Sequence, residues 1–330
     1  MKPYQVIGIG NALVDVIAPA SDAFLDQIEV QKGVMQLIDM DRAVALYGQI
    51  GPAREVSGGS AANTIAGFAH LGGRCGYIGK VRDDQLGAIF AHDLRAQGAD
   101  YATIAAPASH PTETGRCIVL VTPDGERTMS TYLGATEFLG PDDIDPDQMA
   151  QTDWIYLEGY RFDGAASHEA FAKAIAACKG AGGRVAITLS DPFCVDRHRD
   201  AFRALIRADV DLLFANRAEL LSLYQTQDFA AALRMAADDV TIVACTDSAD
   251  GAHILTAGQH FHVPAVPTNV VDATGAGDLF AGAFLWGLVN EAAPDLCGQM
   301  GCIAASEVIS HIGARPESNL RTLFAEHGVL

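Results

Sequence analysis

Apolar residues alternate along Tyr4–Ile9 and stop at Gly10, which predicts a strand running into a turn. From Ser60 to Leu71, small and apolar residues recur at helical spacing and close on Gly72-Gly73, a C-terminal helix stop. Asp84–Gln97 repeats that pattern and is ended by Gly98. Arg116–Val121 and Arg127–Leu133 read as strands joined by the turn Pro123-Asp124-Gly125, a β-hairpin. Beyond Asp153, short apolar runs suited to buried strands occur at Trp154–Leu157, Val185–Leu189, Leu212–Phe214 and Thr241–Ala244. Helical stretches at Ala165–Lys179, Arg197–Arg207 and Phe229–Ala237 separate them. A strand pair, Ala252–Leu255 and His260–Val266, then precedes helices at Ala281–Val289 and Cys302–Ile312. This alternation predicts an α/β fold with a doubly wound, mostly parallel sheet flanked by helices. We expect one domain over 1–330, with a small β-sheet lid from roughly 12–50 and 112–135.

Charge narrows the choice of partner. Lys and Arg number 22 against 41 Asp and Glu, a formal −19. Such a surface repels phosphate backbones and anionic headgroups, so neither nucleic acid nor a membrane surface is expected as partner. The seven cysteines form no C-x-x-C pair, which argues against a zinc ribbon or a thioredoxin-type redox pair. Scattered cysteines read as reduced thiols in a cytoplasmic protein. Met1–Ala18 is interrupted by Gly8, Gly10, Asn11 and Asp15 and lacks the unbroken apolar stretch of a signal peptide.

Two nucleotide motifs fail. Gly8-Ile9-Gly10 starts like a dinucleotide fingerprint, but Leu13 stands where the third glycine belongs. Gly79-Lys80 lacks the first glycine and the Ser/Thr of a P-loop. His260 and His262 alternate on one strand face, without a third ligand to make a metal site.

The segment from Val270 to Phe280 carries more. It is expected to join an apolar strand end to an amphipathic helix through Asp272-Ala273-Thr274-Gly275-Ala276-Gly277-Asp278. Gly275 and Gly277 let the backbone turn tightly and approach a ligand. The N–H groups of residues 275–278 at a helix N-terminus would then form an anion site. Asp278 beside them reads either as a helix cap or as a general base taking a proton from an attacking hydroxyl. Ser57-Gly58-Gly59-Ser60-Ala61-Ala62-Asn63 places paired glycines before a helix with Asn63 one turn in; the plain alternative is a loop with Ser60 as N-cap. Asp15, four residues after Asn11, is flanked by apolar residues and suits two vicinal hydroxyls, or else bonds its own turn. Asn216-Arg217-Ala218-Glu219 is by itself a capping box.

Together these segments resemble the PfkB, or ribokinase-like, carbohydrate kinases over essentially the whole chain. Asp272–Asp278 looks like the family's C-terminal signature, Gly58–Gly72 like its N-terminal one, and Asn216/Glu219 like its N-x-x-E motif. The resemblance implies that Asp278 is the catalytic base. It implies that the amides of Gly275, Ala276, Gly277 and Asp278 hold charge on the moving phosphoryl group, and that Arg127 on the lid neutralises it. Asn11, Asp15, Gly58, Gly59 and Asn63 would hold the acceptor's hydroxyls. Thr246, Ser248 and Gly251 would lie near ATP with Asn216 and Gly277, and Asn216 and Glu219 would organise Mg2+ through water. Some members bind a monovalent cation, which would set K+ near Asp272, Thr274 and Gly313. The expected partners are ATP and a small nucleoside or sugar, with the protein a monomer or homodimer.

Gly10–Ile17 is most similar to the adenosine kinase branch, as are Ile187–Phe193 and Trp154–Phe162. Ala273 replaces the usual Thr of the signature, and Arg161 stands where that branch favours an apolar or aromatic residue near the base. Adenosine is thus the first expected acceptor. A sugar kinase acting on ribose, fructose or 2-keto-3-deoxygluconate is the alternative, and a catalytically silent binding regulator the alternative of another class.

Overall fold

The strands in chain order begin with β1 (Tyr4–Ile9), β2 (Leu13–Pro19), β3 (Met35–Leu37), β4 (Arg54–Gly58) and β5 (Cys75–Ile78). They continue with β6 (Asp100–Tyr101), β7 (Gly115–Val121), β8 (Arg127–Tyr132), β9 (Thr152–Glu158) and β10 (Arg184–Thr188). The last four are β11 (Leu212–Asn216), β12 (Ile242–Thr246), β13 (Ala252–Thr256) and β14 (Gln259–Val263). This computed structural model describes residues 2–164 and 166–330.

Nine strands form one sheet in the order β14-β13-β12-β11-β10-β9-β1-β5-β6. Pairing is parallel from β6 to β12, and the β12–β13–β14 edge is antiparallel. Both faces are covered, as a parallel sheet requires. Along β9, Trp154 and Tyr156 pack with Phe68, Phe280 and Phe284 on one side. Ile155 and Leu157 pack with Phe171 and Phe202 on the other. The chain runs outward from β1 in both directions, so the strand order reverses at β1 and β9. Open α/β sheets bind ligands beyond the carboxyl ends of the strands at such a switch point.

A second, five-stranded sheet has the order β3-β8-β7-β2-β4. It is tied to the switch point twice: β1 enters β2 through Gly10-Asn11-Ala12, and β4 leads directly to Gly59 and the Ser60–His70 helix. The expected hairpin is β7 and β8, closed by Gly125 N–H donating to the Thr122 carbonyl at 2.8 Å. The sheet reaches beyond the expected 12–50 and 112–135, because β4 pairs antiparallel with β2. Asp15 therefore sits on a strand rather than in a turn.

Among the other boundaries that differ from expectation, the larger departures lie at a proline or a glycine. β14 ends at Val263 because Pro264 cannot donate to the ladder. The penultimate long helix is Pro294–Val308, not Cys302–Ile312, with Pro294 in its first turn. The helix expected at Arg197–Arg207 starts at Pro192 behind an Asp191 cap and runs to Asp209, with a kink at His198. The glycine-rich helix before Pro294 begins at Ala276, where the Asp272–Asp278 segment set a helix N-terminus, rather than at the Ala281 of the apolar pattern, and no strand precedes it at Val270. Nor is that helix amphipathic: Leu279–Gly287 is buried without interruption. The described part of the helix expected from Ala165 is Ser167–Gly180, Ala165 itself lying outside the described residues.

The buried Ala276–Val289 helix packs closely against Ser60–His70 because small residues face each other. A Cβ on Gly282 would lie 2.6 Å from the Thr64 carbonyl oxygen, and one on Gly67 would lie 2.5 Å from Leu279 Cδ1. Gly282→Ala must therefore push backbone away from backbone. We expect it to destabilise the protein by about 1–3 kcal/mol despite alanine's better helix propensity. Urea denaturation of the variant beside wild type measures this; an unchanged midpoint would show that the helices can separate at no cost.

Candidate active site

The close helix pair brings one carboxylate to a junction. Asp278 lies in the first turn of Ala276–Val289, and its Oδ1 accepts from the Ser60 hydroxyl at 2.6 Å. Its Oδ2 accepts from Asn63 Nδ2 at 2.8 Å. Ser60 is thus not the N-cap of its helix. Gly59 is, at φ 97°, and a Cβ there would strike the Asn11 carbonyl at 2.2 Å. Burial raises the Asp278 pKa, against the pull of Ser60, Asn63 and the Arg315 charge. The Asn63 Oδ1 is buried without a hydrogen-bond partner among the described residues.

The backbone beside Asp278 makes the expected cradle. Gly275 caps the helix at φ 81°, and a Cβ there would lie 2.7 Å from that of Ala314. The first ladder bond runs from Leu279 N–H to the Gly275 carbonyl, so the N–H groups of Gly277 and Asp278 precede the ladder. No atom lies within 4 Å of where a Gly277 Cβ would be. Open space therefore faces two unspent donors at the positive end of a helix dipole.

Across this space lies Asp15, half-buried on β2. A Cβ on Gly58 would lie 2.4 Å from its carboxyl carbon, so only glycine permits this approach. Burial pushes the Asp15 pKa up to about 6; Arg315 and then Arg127 oppose that, while Asp278 and Asp272 add to it. Asn11 is buried, and its Oδ1 is held by Arg161 Nη1 at 3.1 Å and the Thr136 hydroxyl at 3.3 Å. Arg161 also donates to the carbonyls of Thr136 and Leu139. The resemblance puts Arg161 at a position near the base and leaves open whether it makes contact; here it is 2% exposed and holds Asn11 and the carbonyls of Thr136 and Leu139. Beneath the pair, buried Glu158 accepts from Ala61 N–H at 2.8 Å. Burial raises Glu158 to about 7, only partly offset by the Ala61 and Asn11 amides.

Arg127 is nine-tenths buried and not extended toward open space. Its Nη1 donates to the Thr274 hydroxyl at 2.9 Å, and Nη2 forms an ion pair with Asp272 Oδ2 at 2.8 Å. Asp272 further accepts from Thr274 N–H (3.0 Å) and Gly313 N–H (2.8 Å). The residues expected near a monovalent cation are therefore together around Asp272. The guanidinium already supplies the positive charge at Asp272.

The remaining candidates lie at the carboxyl ends of β11 and β12, where Asn216 is the register partner of Thr246. Asn216 and Glu219 form a complete capping box: Asn216 N–H donates to Glu219 Oε2, and Glu219 N–H to Asn216 Oδ1, both at 2.9 Å. Burial raises Glu219 to about 7. Ser248 opens a short 3-10 turn closed by Gly251 at φ 94°, with Asp247 N–H donating to the Gly251 carbonyl at 2.7 Å. His260 lies 2.9 Å from His253 rather than ligating with His262, and no group that could hold a metal occurs among the described residues.

Two residues escaped the sequence reading. Glu158 ends an apolar strand and carried no motif. Arg315 follows Gly313 in a C-terminal loop and donates to the Ser57 carbonyl at 2.9 Å. A lone arginine gives no sequence signal of that reach.

Comparison with known proteins identifies the family. Residues 35–321 match the pfkB family carbohydrate kinase model. A probable sugar kinase protein from Rhizobium etli CFN 42 superposes over 100% of both chains, at TM-score 0.94 and 46% identity. The adenosine kinase from Sinorhizobium meliloti superposes over 98% of this chain and 99% of its own, at TM-score 0.92 and 46% identity. The aminoimidazole riboside kinase of Salmonella typhimurium is 32% identical over 240 residues, 70% of this chain and 73% of that protein. The family match spans most of the chain, and the protein belongs to the PfkB carbohydrate kinases: a phosphotransferase with an alcohol group as acceptor.

Proposed function

We propose that the protein is an ATP-dependent nucleoside kinase. It transfers the γ-phosphoryl group to a primary 5′-hydroxyl, with adenosine as acceptor and AMP and ADP as products. The observation that carries the kinase chemistry is the Asp278 carboxylate, fixed by Ser60 and Asn63 beside the unspent amides of Gly277 and Asp278. Asp278 takes the acceptor proton as that oxygen bonds to the γ-phosphorus; the bond to the β–γ bridging oxygen breaks and ADP leaves. The amides of Gly275–Asp278 stabilise the charge that spreads over the phosphoryl oxygens. Asp15, Asn11, Gly58, Gly59 and Asn63 hold the acceptor hydroxyls, and Thr246, Ser248 and Gly251 line the nucleotide side with Asn216. Mg2+ arrives with the ATP phosphates as part of the substrate, with Asn216 and Glu219 nearby through water. Arg127, anchored on Asp272 and Thr274, sets positive charge next to the Gly275 turn.

Adenosine is favoured by the 46% identity to the Sinorhizobium meliloti adenosine kinase. The equal identity to the Rhizobium etli probable sugar kinase favours the second reading, a free sugar such as ribose, fructose or 2-keto-3-deoxygluconate.

ADP release with Mg-ATP, measured against adenosine, inosine, ribose, fructose and 2-keto-3-deoxygluconate, should be greatest with adenosine. Preference for a free sugar would keep the kinase and overturn the nucleoside. Asp278→Asn should still bind ATP and acceptor while transfer falls by about 10²–10⁴-fold; turnover equal to wild type would exclude Asp278 as the base. Arg127→Ala should lower kcat more than it raises either KM. It also strands Asp272, so its unfolding free energy should drop by about 3–5 kcal/mol. A pure KM effect would limit Arg127 to binding.

A further inference from the structure

Arg315 joins three parts of the molecule that sequence reasoning kept separate. Its Nη2 donates to both the carbonyl and the hydroxyl of Ser57, at 2.9 and 3.1 Å. Ser57 is held from the other side as well, its N–H donating at 2.9 Å to Asp93 Oδ2 on the Gln85–Ala96 helix. The strand β4 is thereby pinned one residue before Gly58, the glycine against which Asp15 rests. Arg315 itself lies two residues beyond Gly313, whose N–H holds Asp272, and next to Ala314, which abuts Gly275. Its Nε and Nη1 are buried and have no hydrogen-bond partner among the described residues.

The charge balance explains why an arginine stands there. Asp15, Asp278, Asp272 and Asp93 crowd one region that holds two guanidinium groups. Arg127 is committed to Asp272. Arg315 is the charge that the others have in common: Asp15, Asp278 and Asp93 act on it most strongly, in that order, followed by Tyr77. Burial lowers its own pKa to about 10, so it stays charged at neutral pH. The groups facing Asp15 are Arg315, Arg127, Asp278 and Asp272. Those facing Asp278 are Ser60, Asn63 and Arg315.

We infer that Arg315 is a positioning residue for the acceptor: it clamps Ser57 so that Gly58 stays against Asp15, and its charge balances the Asp15 and Asp278 carboxylates. This inference rests on the proposed roles of Asp15 in holding hydroxyls and Asp278 as base. Two carboxylates whose charges act on each other, as Asp278 acts on Asp15, are more readily both ionised when a cation offsets their repulsion. Arg315 does so from a loop that also packs on the anion cradle, so acceptor site and cradle share one support.

The test is the pH profile of kcat/KM for adenosine in Arg315→Gln, with ribose as second acceptor. Glutamine can still donate to Ser57 but carries no charge. Without the cation both carboxyl pKa values rise, and the base must be ionised to act. The acid limb should therefore move up by roughly one pH unit, so that kcat/KM falls about tenfold well below the limb and the loss fades as pH rises above it. KM for ATP should change little. Arg315→Lys should restore the position of the limb while leaving acceptor KM raised, since lysine keeps the charge and loses the double bond to Ser57. A loss of equal size at every pH would overturn the inference and leave Arg315 a packing residue, as would unchanged kinetics. If the glutamine variant does not fold, Arg315→Lys decides: a limb shifted as far as expected for charge loss would overturn it. Wild-type protein inactive with every acceptor would instead overturn the nucleoside kinase reading.

Discussion

Everything at the site depends on how closely two helices approach. The Ser60–His70 and Ala276–Val289 helices meet through Gly67 and Gly282, where any side chain would strike Leu279 or the Thr64 carbonyl. Only at that spacing can Ser60 and Asn63 on one helix grasp Asp278 on the other, at 2.6 and 2.8 Å. The first helix is entered from Gly59 and the second from Gly275, both with positive φ, so both N-termini open toward the same space. The sheet supplies the location, since this space lies at the carboxyl ends of β1 and β9 where the strand order reverses.

The second dependence is electrostatic. A protein of net charge −19 places Asp15, Asp272, Asp278 and Glu158 around a site that must accept more negative charge. Their pKa shifts share one first cause where a shift is resolved, burial, which disfavours ionisation. Two arginines compensate locally. Arg127 sits on Asp272, in the region where the family resemblance had suggested a monovalent cation, and Arg315 faces Asp15 and Asp278. A third, Arg161, is spent on backbone carbonyls and on Asn11. Charge is thus balanced by nearby arginines, one paired with Asp272 and one bonded to Ser57, not by the overall field.

Much of the fold was legible because apolar runs and turn residues mark strands unambiguously. β1 fell on its expected bounds, and the β7–β8 hairpin differed by one residue at its ends. Helix starts were harder. Pro192 and Pro294 announce a first turn, yet the apolar periodicity that was followed begins a turn or more later. The Ala276–Val289 helix has no polar face, so periodicity found its end at Val289 but not its first turn. At the site, glycines flanking a carboxylate left two readings open, and it was the resemblance to a kinase family that brought Gly59, Asn63, Gly275 and Asp278 into one picture. What stayed hidden were side chains whose meaning lies in long-range contact: Arg315 with Ser57, Glu158 with Ala61, Arg161 with Asn11. Residues 97 to 258 positions apart have no local pattern to betray them.

The claim that Asn63 and Asp278 work as one unit can be measured directly by a double-mutant cycle on single-turnover phosphoryl transfer at saturating ATP and acceptor. Asn63→Ala, Asp278→Asn and the double variant would be compared with wild type. If Asn63 acts through the carboxylate it holds, its removal should slow transfer in the wild-type background and cost almost nothing further once Asp278 is asparagine. Two independent, multiplying losses would contradict the account and separate Asn63 from the proposed base.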